Sequence, residues 1–494
     1  MMTVNPKQCA PTKSTENLDE LALAVYTSSL GSRGSTEEKR TFPDDPDENT
    51  QHIIEDSDWY WNIEKKTYSL TYQNKEGLEQ TLYGYFLRNG TSNRTAVVVH
   101  GWTGCARQMG SMAKVYYDLG YNIFTPDLRG HGRSTENNIN YGAIDSGDLI
   151  NWLMLLNEAE GASGNFKADL FGISMGALVV LGAAAKDNFP SFVESIVIDS
   201  GFDNALLVLL SEIIASPVLS SLNAVEQAYV VYKINSLFEQ KQGVGFFDLL
   251  TPEKVKLNKL PVLTINGSKD NPGFNVPLNI FNETRSFQKM YWIVDGGGHA
   301  NCQNFVYDEY NNKIRQFLET RESNPLMSLV NSRSVPLFGD VGKDALISAL
   351  KLKVTDSVDG DISGTVNIAG VDFNTNGIYT ATLTCTNSRQ NTTAYSVDVA
   401  INRDSPVTAG DYTLGAKSYS CIINGGSKSS VMSIYLAKDY NEGSEQLVTG
   451  VIDDDWVCHF DIQEGFINSV NDNITLFIFM RDWTYFIQPV NIIS

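Results

Sequence analysis

The segment best suited to covalent chemistry is Gly172-Ile173-Ser174-Met175-Gly176, which lies between the apolar pair Leu170-Phe171 and the helix-forming run Ala177-Leu178-Val179-Val180-Leu181. A serine on a sharp strand-to-helix turn needs small residues two positions to either side, because a Cβ there collides across the turn. Gly172 and Gly176 meet that need. The hydroxyl would project above a sheet at a helix N-terminus, where oriented N–H groups favour developing negative charge. That is the setting of a nucleophile attacking a carbonyl carbon. A bare G-x-S-x-G also occurs as an ordinary glycine-rich turn; the strand before it and the helix after it set this one apart.

An alkoxide nucleophile needs a base, and the chain has five histidines: His52, His100, His131, His299 and His459. His299 follows the apolar run Trp292-Ile293-Val294 and three glycines, Gly296, Gly297 and Gly298, which would let a tight loop present the imidazole. An orienting carboxylate should follow an earlier strand, and Asp270 stands just past Val262-Leu263-Thr264-Ile265. Asp199 and Asp203 are alternatives that would hold the histidine from another side. The order Ser174, Asp270, His299 is the order of one serine-hydrolase architecture and not of others. Backbone N–H groups of Met175 and Trp102 are the expected oxyanion donors, Trp102 lying in His100-Gly101-Trp102-Thr103-Gly104, and Trp102 would also wall an acyl pocket. Activity should fall on the acid side as the base takes up a proton, near the ordinary imidazole pKa of about 6.5.

Other reactive side chains have plainer readings. Cys302 has no second base beside it and reads as a packing thiol, while His100 and His131 read as loop braces. Asp356, Asp359 and Asp361 lack the twelve-position loop and terminal glutamate of a calcium site, so they read as a turn with solvated acids. No cofactor and no metal is expected. Cys421 and Cys458 would pair only if oxidised, and their separation cannot be read from sequence. The six cysteines form no C-x-x-C pattern, so neither a zinc knuckle nor a dense disulfide scaffold is indicated.

These groups need elements to position them. With 494 residues the chain suggests about three domains, and 42% hydrophobic against 19% charged residues excludes a largely disordered chain. A net charge of −21 repels phosphate backbones and anionic membrane surfaces, so nucleic acid is excluded as an expected partner. The runs 67–72 and 81–87, separated by Asn74-Lys75-Glu76-Gly77, predict a hairpin. Short continuous apolar runs from Val97 to Val294 predict a parallel sheet buried on both faces, and a stripe of Val306, Tyr310, Ile314 and Phe317 predicts a closing helix over 306–318. Residues 204–258 interrupt this rhythm and predict a cap over Ser174, although simple core packing explains the same apolar residues. The apolar stretch 205–222, broken by Glu212 and Pro217, is too short to span a bilayer. The polar residues 1–56, with a helical pattern near 18–26, read as a lead-in that docks or stays mobile. After Asn324 short strand-like runs, among them 347–354, predict two all-β sandwich modules at 325–404 and 408–494.

Residues of about 57–322 resemble an α/β-hydrolase of the bacterial serine esterase type. The likeness is carried by His100-Gly101-Trp102-Thr103-Gly104, Pro126-Asp127-Leu128-Arg129-Gly130-His131-Gly132-Arg133-Ser134, Gly172-Ile173-Ser174-Met175-Gly176, Asp199-Ser200-Gly201-Phe202 and Gly298-His299. The resemblance implies ester hydrolysis without metal or organic cofactor, with Ser174 attacking, His299 as acid and base and Asp270 holding it. The same fold also serves serine peptidases and acyltransferases, and a catalytically silent binding or adhesion protein is the contrasting reading. The stretch 354–362, followed by Gly377-Ile378-Tyr379-Thr380-Ala381, is similar to bacterial immunoglobulin-like repeats. That implies a secreted or cell-surface protein whose β modules bind a surface or polymer ligand. Residues 1–17 show no signal-peptide pattern, so export stays open against a cytoplasmic location.

Overall fold

The computed structural model describes residues 14–494 except 37–38, 162–164, 216, 271–274, 287, 332–334, 339–341, 403–406, 425–429, 439–445, 471, 473 and 481–484; Cys9 thus lies outside the described residues. The chain forms two compact units, one of residues 1–328, 354–362 and 387–391, the other of residues 329–353, 363–386 and 392–494.

The first unit is built on β1 (Lys66–Gln73), β2 (Glu79–Leu87), β3 (Arg94–Val99), β4 (Asn122–Pro126), β5 (Lys167–Ile173), β6 (Val193–Asp199), β7 (Val262–Gly267) and β8 (Lys289–Val294). Their spatial order is β1-β2-β4-β3-β5-β6-β7-β8. β1 and β2 form the expected hairpin, paired from Lys66 opposite Phe86 to Gln73 opposite Glu79. β2 is also antiparallel to β4, and every later pairing is parallel. β4 and β7 are buried along their whole length, as runs without alternation require when helices cover both faces.

The helices are α1 (Thr15–Ser29), α2 (Glu48–Asn62), α3 (Gly110–Asp118), α4 (Asp145–Glu160), α5 (Met175–Ala184), α6 (Ala205–Ala215), α7 (Pro217–Ser220), α8 (Ala224–Gln242), α9 (Pro252–Val255), α10 (Asn275–Glu283), α11 (Cys302–Phe305) and α12 (Tyr307–Thr320). α4, α5 and α10 contribute to one apolar core, while α3 packs with α2 and α12. α12 buries Tyr310, Ile314 and Phe317 of the stripe read from the sequence, while Val306 precedes the helix and is half-buried.

Two segments whose form the sequence left open are ordered against the core. The polar lead-in is structured: α1 buries Leu18, Ala22, Val25 and Tyr26 and packs on α8, and α2 runs unbroken through position 56. α2 was hidden because its inward face is largely polar, with Thr50, Asp56 and Ser57 buried beside Ile53 and Tyr60. The insertion between β6 and β7 is helical as expected. Its Leu209, Ile213, Val230, Ile234 and Phe238 join the same core as α4 and α5.

In the second unit a sheet orders Val335–Phe338, Thr392–Asn402, Gly377–Thr386 and Asn367–Ala369. A strand expected over 347–354 is instead the helix Lys343–Ala349, with a strand beginning only at Lys353. The helix forms because Leu346 and Leu350 bury one face at i,i+4 spacing and Asp344 lies in the first turn. Two further four-stranded sheets, one holding Ser418–Ile423 and Val457–Asp461, the other Val431–Lys438 and Ile474–Met480, enclose a core that includes Cys421, Ile434, Leu436, Cys458, Phe460 and Leu476. No helix among the described residues is long and apolar enough to cross a membrane.

Candidate active site

Ser174 stands between β5 and α5 with φ +52° and ψ −117°, a backbone conformation that costs energy for any residue with a Cβ. The turn survives because its neighbours are bare. A Cβ on Gly172 would lie 2.5 Å from the Gly176 carbonyl oxygen, and one on Gly176 would lie 2.3 Å from that of Val99. The Ser174 N–H donates to the Asp199 carbonyl at 2.9 Å, tying the elbow to the end of β6.

β7 and β8 end close together for a similar reason. A Cβ on Gly267 would meet the Gly297 carbonyl oxygen at 2.0 Å, so only glycine lets the two loops touch. Lys269 N–H donates to Gly297 O at 2.8 Å, and Ser268 N–H donates to Val294 O at 2.9 Å. Ser268 Oγ accepts from Gly296 N–H at 2.8 Å and donates to Asp295 Oδ1 at 3.1 Å. The expected residues are thereby brought into one line: Ser174 Oγ lies 2.8 Å from His299 Nε2, and His299 Nδ1 lies 2.8 Å from Asp270 Oδ1. The Asp270 side chain is 2% exposed and that of His299 40%, so the carboxylate is sheltered while the ring is open to solvent. Phe202 stacks on the imidazole at 5.6 Å between centroids.

The alternative carboxylates are engaged elsewhere. Asp199 accepts from Tyr310 OH at 2.6 Å and Ser200 Oγ at 2.9 Å, and burial lifts its carboxyl to about 6. Asp203 hydrogen-bonds Asn279. Ser200 does a second thing that sequence reasoning missed: its Oγ accepts from Ala300 N–H at 2.8 Å, bracing the backbone next to His299. Both Ser200 and Ala300 have positive φ, at +49° and +56°. The signal was the run Asp199-Ser200-Gly201-Phe202, but its partner lies 100 residues on.

Met175 opens α5 directly after the serine. Gly101 lies against the serine, since a Cβ there would stand 3.1 Å from Ser174 Cβ and 3.7 Å from Oγ. Trp102 follows it, a residue 43% exposed, in a turn closed by Gly104 N–H donating to Gly101 O, with Thr103 at φ +62°. His100 is buried, its Nδ1 2.7 Å from Gly101 O and its Nε2 accepting from Leu128 N–H at 3.1 Å. Burial, then the neighbouring His131, lowers its pKa to about 3, so it is a neutral brace for this loop. Burial lowers His131 to about 4. Burial holds the Cys302 thiol well above its ordinary pKa, and it packs near Gly297.

Asp356 differs from the solvated acid expected. It is buried and accepts from Val358 and Asp359 N–H, from Asn387 Nδ2 at 2.9 Å and from Arg389. Asp359 accepts from Ser388 N–H and Oγ. The turn carboxylates thus serve as anchors for the segment 387–391, a role that spacing alone does not reveal.

Residues 97–215 match the family described as alpha/beta hydrolase fold. The fold is that of the α/β hydrolases. Among solved structures, an esterase from Pyrococcus furiosus is similar at 18% identity, covering 52% of this chain and 93% of that one with a TM-score of 0.40. The carboxylesterase CesB from Bacillus subtilis is similar at 16% identity over 55% and 96% of the two chains, TM-score 0.36. A bromoperoxidase from Bacillus anthracis is similar at 15% over 51% and 100%, TM-score 0.35. No curated protein matches the chain. The α/β-hydrolase fold hosts many reactions, so activity has to be argued from the residues at the strand ends.

Proposed function

We propose that this protein is a serine hydrolase of carboxylic esters working through an acyl-enzyme. The observation that carries the reading is the pair of 2.8 Å contacts joining Ser174, His299 and Asp270 on loops of an α/β-hydrolase fold. Ser174 Oγ attacks the ester carbonyl carbon while His299 Nε2 takes its proton. Asp270 accepts from Nδ1–H, which keeps Nε2 free as base and stabilises the imidazolium. The tetrahedral oxyanion is met by the N–H groups of Met175 and Trp102. Its collapse breaks the bond to the leaving oxygen, which receives the proton from His299, and water repeats the sequence in reverse to free the acid.

A fluorophosphonate probe tests the nucleophile, and hydrolysis of p-nitrophenyl acetate tests the reaction. Labelling at Ser174 is expected, with loss in Ser174→Ala of at least about 10⁴-fold in rate. Asp270→Asn should lose on the order of 10⁴ in kcat, because the amide favours the wrong imidazole tautomer. Undiminished turnover by a folded Ser174→Ala protein rules the reading out.

A further inference from the structure

Cys421 lies on the strand Ser418–Ile423 and Cys458 on Val457–Asp461; the strands are antiparallel neighbours and the two cysteines are direct register partners. The bonds from Ile423 N–H to Trp456 O and from Ile462 N–H to Lys417 O mark the hydrogen-bonded pairs of this ladder. Steps of two residues from either end place Cys421 and Cys458 in the same class. Such pairs hold their Cα atoms about 5.5 Å apart, within the Cα range of a disulfide, and their Cβ atoms about 5 Å or slightly more apart, so the bond closes when the two strands draw together by about 1 Å. The two thiols already hydrogen-bond each other. Both side chains also share a face: Tyr419, Cys421 and Ile423 alternate with exposed neighbours, and Cys458 and Phe460 do likewise, all entering one core. Glycine at 450 leaves the sulfur its space, because a Cβ there would lie 2.2 Å from Cys458 Sγ.

We propose that Cys421 and Cys458 are a disulfide site, closed during folding by exchange with a small-molecule disulfide of the glutathione class. One thiolate attacks the oxidant, releasing one reduced thiol and leaving a mixed disulfide. The second cysteine displaces the other thiol and the S–S bond forms, so two protein thiols are oxidised and one disulfide is reduced to two thiols. Exposures of 1% for Cys421 and 0% for Cys458 put the exchange before the core closes, since a buried thiol is inert. The bond then lies inside the module and ties two strands of one sheet together.

Refolding the full-length chain from urea with glutathione and glutathione disulfide, followed by alkylation and tryptic digestion, tests this. Peptide 418–428 should be found joined to peptide 439–481, with the link lost on reduction and absent from Cys421→Ser. If refolding fails, the protein purified reduced is treated with diamide in mild urea, where the azo bond takes up the two hydrogens, and is digested in the same way. Recovery of both peptides singly alkylated, or of either cysteine joined only to glutathione or to another cysteine, overturns the proposal.

Discussion

The imidazole of His299 is held through its ring and through its backbone: Asp270 meets Nδ1, and Ser200 Oγ takes the N–H of the next residue, Ala300. Removing the Ser200 hydroxyl leaves that N–H without its acceptor and lets the ring drift from Ser174. In the proposed hydrolysis Ser200→Ala should therefore lower kcat about tenfold with KM nearly unchanged, as misplaced reacting groups do. An unchanged kcat would make Ser200 a bystander. His100 and His131 give a pH prediction of a different kind. An unfolded imidazole takes its proton near pH 6.5, whereas these rings do so only near 3 and 4. Below pH 6.5 the unfolded chain binds more protons, so the stability that rests on these two rings is intact above that pH. It is lost as pH falls towards 4 and then 3, a cost on the order of a few kcal/mol. Side-chain NMR should find both rings neutral at pH 5; a protonated ring at that pH contradicts the assignment.

At the scale of elements, the site depends on two close approaches that only glycine allows. Gly267 to Gly297 closes the ends of β7 and β8, and Gly176 to Val99 seats α5 against β3. Gly267→Ala must push the Asp270 loop from the His299 loop although residue 267 is no part of the hydrogen-bonded line. We expect a loss of roughly 1–3 kcal/mol in stability, the usual cost of forcing atoms into a packed site. Ester turnover should fall by more than that instability explains, because the 2.8 Å contact between Asp270 and His299 spans the same gap. A variant with full turnover and a lowered midpoint of urea unfolding would show that the loops tolerate separation.

For the molecule as a whole, the decisive feature is that the first unit does not end where the β-α rhythm ends. Residues 354–362 and 387–391 belong to it. Asn387 and Asn391 both donate to Ser323 O, Thr355 Oγ1 donates to Lys289 O, and Ser328 Oγ accepts from Tyr291 N–H. A chain cut after residue 324 loses all of these partners and leaves groups on β8 unpaired. It should melt several degrees below the full-length protein in calorimetry, for a deficit of a few kcal/mol. An identical melting temperature for the first transition would show that 1–324 is self-sufficient.

The sequence by itself determined the local features. Glycines two positions either side of Ser174, an apolar run before it and a helix former after it describe a strand–turn–helix with little tertiary help, because the constraint is steric and spans five residues. Unalternating apolar runs likewise specified a sheet covered on both faces. What depended on long-range geometry was decided only by the fold. Asp199, Asp203 and Asp270 all follow apolar strands, and the side-by-side placement of β7 and β8 is what sets Asp270 against His299. The inward face of α2 stayed hidden because Thr50, Asp56 and Ser57 interrupt its apolar residues Ile53 and Tyr60, and a polar residue such as Asp56 meets its partner, Tyr307, only in three dimensions. The register that sets Cys421 opposite Cys458 was equally beyond reach, since a shift of two residues keeps every side chain on its own face and the alternation intact while setting each cysteine opposite another residue.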